Sequence, residues 1–111
     1  METNFNPVRD DAALEELFER SNERPVLLFK HSNACPISAH AYREMEQFKG
    51  DVPIVVVQES REVSREVETR TGVRHETPQA LVLRNGEVVW SASHFDITRD
   101  AVESALKNAE G

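Results

Sequence analysis

Cys35 is the only cysteine in the chain, and it stands in the run Phe29-Lys30-His31-Ser32-Asn33-Ala34-Cys35-Pro36-Ile37-Ser38. A cysteine reacts as its thiolate, which both attacks disulfides and leaves from them. The run puts this thiol after a β-like stretch and directly before Pro36. Proline suits the first position of a helix, because no hydrogen bond is required there and its φ is already helical. Cys35 is therefore expected at a helix N-cap with the first-turn N–H groups pointing at the sulfur. Such sites lower a thiol pKa from about 8.5 to around 3.5–7.5. Lys30 and His31, just upstream, would add positive charge. Where a Cys-x-x-Cys motif carries its second thiol stands Ser38, which cannot attack a disulfide on Cys35. An adduct on Cys35 must then be cleared by an external thiol.

The elements that carry this site follow from local signals. Asp10 or Asp11 can cap a first helix with Leu14, Leu17 and Phe18 at helical spacing. Pro25 introduces Val26-Leu27-Leu28-Phe29, an apolar run suited to a strand buried on both faces. Beyond Cys35, Ile37, Ala41, Met45 and Phe48 form one apolar stripe of a second helix, expected to end near Gly50. Pro53 introduces a second buried strand, Ile54-Val55-Val56-Val57. Ser60 to Thr71 reads as a polar helix with Val63 and Val67 inward, stopped by Gly72. Asn85-Gly86 between Leu81-Val82-Leu83 and Val88-Val89-Trp90 predicts a hairpin with a type I′ turn. Asp96 or Thr98 can cap a last helix carrying Ala101, Val102, Ala105 and Leu106. The order is αβαβαββα: an α/β fold with a central four-stranded mixed sheet flanked by helices.

The 111 residues fit one domain, residues 1–111. The net charge of −7 argues against nucleic acid, which wants a basic face. No apolar run approaches the roughly 18 residues of a membrane span, and the first residues carry no basic and apolar leader pattern. One cysteine cannot build a disulfide framework, which points to a reducing cytoplasm. Cys35 and the scattered His31, His40, His75 and His94 match no zinc-ligand spacing within one chain, which leaves open a metal shared between two subunits; no metal and no bound cofactor are expected.

The segment from Gly72 to Val89, with Thr77-Pro78 before Gln79-Ala80-Leu81-Val82-Leu83 and then Asn85-Gly86, resembles the second half of thioredoxins. Within that superfamily, the strand ending in Lys30-His31-Ser32 and the motif Cys35-Pro36-Ile37-Ser38 resemble the monothiol bacilliredoxins of the bacillithiol system, the YtxJ-like family. The resemblance spans nearly the whole chain. It implies a thioredoxin-like fold and a monothiol disulfide reductase. Cys35 would take a low-molecular-weight thiol, bacillithiol, from protein mixed disulfides, and free thiol as co-substrate would regenerate it. S-thiolated proteins would be the partners. It further implies a cis Pro78 facing Cys35, with the Thr77 backbone pairing with the bound thiol or substrate strand. Pro36, Ser38, Thr77, Pro78 and Lys30 are the expected substrate-binding residues. Glutaredoxins carry a Gly-Gly-type segment after the hairpin; here that stretch reads Ser91-Ala92-Ser93-His94-Phe95-Asp96.

Two other readings use the same residues. A non-catalytic domain would bind a partner beside a silent thiol. A thiol peroxidase would want threonine and proline three and seven residues before the cysteine, where this chain has Ser32 and Leu28. Trp90 reads as a packing residue, His94 as a structural residue with lining the groove as its second reading, and the charges from Arg61 to Arg70 as a solvated helix face.

Overall fold

The computed structural model describes residues 2–110. In chain order these form β1 (Thr3–Pro7), α1 (Asp11–Arg20), β2 (Val26–His31), α2 (Pro36–Met45), β3 (Gly50–Val56), α3 (Arg61–Thr71), β4 (Gln79–Arg84), β5 (Glu87–Ser93), a 3-10 turn (His94–Asp96) and α4 (Arg99–Glu110). The sheet has five strands in the order β1-β3-β2-β4-β5. β1 and β2 run parallel to β3, whereas β4 is antiparallel to β2 and β5 to β4.

The expected four strands are thus joined by a fifth. Thr3–Pro7 pairs in register with Gly50–Ile54, and Phe5 stacks on Tyr42 with ring centroids 4.5 Å apart. A polar, Asn-containing segment becomes a strand here because a distant strand offers it a ladder. That partner also begins earlier than expected, at Gly50 rather than after Pro53. Pro53 is tolerated inside β3 because β2 joins the ladder only from Ile54, so the missing N–H interrupts no pairing on that side. The stripe of α2 ends at Met45; Phe48 lies in the turn beyond it. Its carbonyl accepts from the Thr3 hydroxyl, tying that turn to β1.

Side-chain alternation divides the core. Val26 and Leu28 of β2 face α1 and α3, packing with Leu14, Leu17, Phe18, Val63 and Val67. Leu27 and Phe29 face α2 and α4, packing with Ala41, Met45 and Val102. The caps follow the local signals. Asp10 accepts from the Ala13 amide at 2.8 Å, and Thr98 accepts from the Ala101 amide at 3.1 Å. Gly72 closes α3 in the left-handed conformation at φ 72°. Asn85 and Gly86 both take positive φ, 54° and 75°, as a type I′ turn demands. The buried Ser21, at the end of α1, receives both of their amides.

Candidate active site

Pairing of Lys30 with Gln79 brings the segment before β4 alongside the end of β2. Cys35, the loop Ser32–Ala34 and the Thr77–Pro78 step therefore share one end of the sheet. Cys35 is the N-cap of α2 with extended backbone angles, and Pro36 opens the helix. The Cys35 side chain makes no capping hydrogen bond and is partly exposed. Its carbonyl accepts from Ala39 at 3.0 Å, so the helix winds from this residue. Pro36 brings no N–H, and first-turn amides of a helix have no partner within it. The thiol thus sits at the positive end of the helix dipole.

The loop ahead of Cys35 is pinned from both sides. The Ser32 amide donates to Ser38 Oγ at 3.3 Å. Gln58, just past β3, accepts from the Asn33 amide at 3.1 Å and donates to Ser32 Oγ at 2.8 Å. Nothing in the sequence marked Gln58, since its role arises from a strand that pairs across the sheet.

The Thr77–Pro78 peptide bond is cis; Pro78 is buried and Thr77 partly exposed. The Pro78 carbonyl accepts from the His94 amide at 3.1 Å. That bond sets the 3-10 turn beside the proline, and His94 takes a positive φ of 55° there. The His94 ring reaches Glu76 at 3.6 Å. Phe95 is 62% exposed and meets the edge of His40 on α2, with centroids 5.4 Å apart. His94, for which the sequence leaves lining the groove as the second reading, thus borders Pro78.

Two expected groove residues lie elsewhere. Ser38 has no accessible surface; it holds the loop and does not face a ligand. Lys30 is likewise wholly buried. Alternation along β2 puts it on the face of Leu28, towards α3, whereas α2 covers the opposite face. Its Nζ lies 2.7 Å from His75 Nδ1 and 3.4 Å from the Ser64 carbonyl. Burial lowers its pKa from 10.5 to about 8, against a smaller raising effect of Glu68. Lys30 therefore adds no direct contact to a substrate on Cys35.

His31 ends β2 on the α2 side, 5.0 Å from the Tyr42 ring. Burial pushes its pKa down, and a Ser38 backbone group partly restores it. Its Nδ1 is buried without a partner among the described residues, which fits a neutral imidazole. Desolvation, helped by Glu46, raises the Tyr42 pKa.

A single partly exposed thiol at a helix start, at the same end of the sheet as a cis-proline that opens an antiparallel strand, defines a thioredoxin-fold protein with one cysteine. The chain belongs to the monothiol bacilliredoxin BrxC family, whose model matches residues 6–102. Among solved structures it is similar to a protein described as an oxidoreductase candidate with a thioredoxin fold. The two are 33% identical over 91% of this chain and 92% of that one, with a TM-score of 0.83. A thioredoxin variant from Halobacterium salinarum NRC-1 shares the fold at 17% identity, covering 97% and 92% of the two chains with a TM-score of 0.70. The reduced Schistosoma mansoni thioredoxin pre-protein does so at 18% identity, over 96% and 98%, with a TM-score of 0.69. Family and fold together make this a thiol-redox protein. No described helix is long and apolar enough to cross a membrane.

Proposed function

We propose that the chain removes a low-molecular-weight thiol, bacillithiol, from protein mixed disulfides in the cytoplasm. The Cys35 thiolate attacks the bacillithiol sulfur of the mixed disulfide. A bond forms between Cys35 and bacillithiol as the target's sulfur–sulfur bond breaks. The target cysteine leaves as a thiolate and takes a proton from solvent. A free bacillithiol thiolate then attacks the bacillithiol sulfur of the adduct, giving the symmetric small disulfide and returning Cys35 as thiolate. The two reducing electrons come from the small thiols, so no bound cofactor or metal takes part.

The observation that carries this reading is the placement of the sole cysteine at the N-cap of α2 while position 38 is a buried serine. The site can start an exchange and cannot resolve it internally. Family membership favours bacillithiol as the thiol. Pro36 and Pro78 would shape the groove, and the partly exposed Thr77 would pair its backbone with the bound substrate. Intact-mass spectrometry tests the proposal, after mixing reduced protein with a bacillithiolated or glutathionylated model protein. A gain of one small thiol at Cys35, larger with the bacillithiolated donor, is expected. No adduct from either donor overturns it.

A further inference from the structure

Lys30 occupies a position where a leucine or methionine would be buried without electrostatic cost. An ammonium with no accessible surface must instead be held by partners. It donates to His75 Nδ1 at 2.7 Å and to the Ser64 carbonyl at 3.4 Å. Donation to Nδ1 leaves the His75 proton on Nε2 and the ring neutral. Burial and the Lys30 charge both lower the His75 pKa, against smaller raising effects of Glu68 and Glu76. The ring keeps its acceptor form.

His75 lies in the segment between α3 and β4, which has no regular structure of its own. This segment ends in Thr77–Pro78, the groove wall. Side chains from three elements tie it down. Lys30 of β2 holds the His75 ring, and Glu68 of α3 accepts from the His75 amide at 2.8 Å. Gln79 of β4 donates to the Arg74 carbonyl at 2.9 Å. Ser64 Oγ adds a longer approach to the same Nδ1, at 3.4 Å. Beyond the backbone pairing of Gln79 with Lys30, the Lys30–His75 contact is the side-chain hydrogen bond among the described residues that joins the segment to β2, the strand that leads into the Cys35 loop. The contact is half-buried, and a charge-assisted hydrogen bond is stronger than a neutral one.

We infer that Lys30 is a positioning residue for the substrate groove: acting through His75 from the far face of the sheet, it holds the segment that presents Thr77 to a bound mixed disulfide. This rests on the proposed role of Thr77 and Pro78 as groove wall, and it adds the device that sets their position relative to Cys35. The partner of the groove is an extended S-thiolated peptide, since backbone pairing at Thr77 is what the staple would protect.

Hydrogen exchange over residues 72–78 tests this in wild type, Lys30→Met, His75→Ala and the double variant, together with iodoacetamide alkylation of Cys35. His75 is solvent-exposed, so His75→Ala removes the contact without opening the core and serves as a second variant beside Lys30→Met. Exchange at His75–Thr77 is expected to rise about tenfold in each single variant and no further in the double, because the two groups act as one unit. Alkylation of Cys35 should stay within about twofold of wild type, since the staple does not touch the helix start. Unchanged exchange in His75→Ala, or a double variant equal to the product of the singles, overturns the inference. Neither readout uses a protein substrate, so both stand apart from the choice of small thiol. On an S-thiolated protein, His75→Ala should raise KM about fivefold with kcat retained. A fall in kcat with unchanged KM would contradict a positioning role.

Discussion

The Ser32 amide donates to Ser38 Oγ at 3.3 Å, closing the loop that carries Cys35 onto the helix that Cys35 begins. The residue standing where a resolving cysteine would sit has thus become part of the scaffold. Its side chain is enclosed.

Replacing Cys35 with serine should abolish adduct formation while leaving the fold intact, because the Cys35 side chain makes no capping bond. Persistent thiol uptake in that variant would place the chemistry elsewhere. Ser38→Cys should form an internal disulfide under mild oxidant, visible as the loss of two hydrogens in the intact mass. Ser38→Ala strands the Ser32 amide and is expected to cost about 1 kcal/mol in chemical denaturation.

Lys30→Met should stabilise the protein at neutral pH even as it loosens the groove. The folded-state pKa is about 8 against 10.5 for the free side chain. Between those values the unfolded chain holds the extra proton, so wild-type stability rises with pH across that window. Below it, the buried ammonium carries its full desolvation cost. The variant's advantage should be on the order of 1–3 kcal/mol at pH 7 and shrink towards pH 10. Melting temperatures at the two pH values decide this, and an advantage that grows with pH contradicts it.

Acid should weaken the fold through His31 and His75. Burial lowers both pKa values from 6.5, so below pH 6.5 the unfolded chain binds protons that the folded chain refuses. Stability then falls as pH drops through that range towards the folded-state values. The difference in denaturant midpoint between pH 7 and pH 5 should be smaller in His75→Asn than in wild type. An equal difference would remove His75 from the account.

Gly86 tests the hairpin. A Cβ there meets nothing within 4 Å, but φ is 75°, so Gly86→Ala pays only the left-handed backbone cost. A loss of about 1 kcal/mol is expected by denaturation. A loss several times larger would mean that the turn repacks against Ser21.

Local chemistry made much of this fold readable. Asp10 and Thr98 start helices and Gly72 ends one, through interactions within a few residues. Asn85-Gly86 turns a hairpin through its own allowed φ, and Pro36 announces the helix behind Cys35. Strand β1 was not readable, because Asn4 and Asn6 carry no apolar alternation. Its order comes from pairing with Gly50–Ile54, more than forty residues away in the chain. Lys30 faces α3 and not the groove, and the alternation Val26, Leu28, Lys30 already sets it opposite Phe29. What no local pattern announced was His75 as its partner and Gln58 beside the Cys35 loop. The identity and surroundings of the reactive thiol are properties of adjacent residues, written along the chain. The walls around it are made by segments that meet only when the sheet forms, and distance along a chain carries no record of which side chains will share a face.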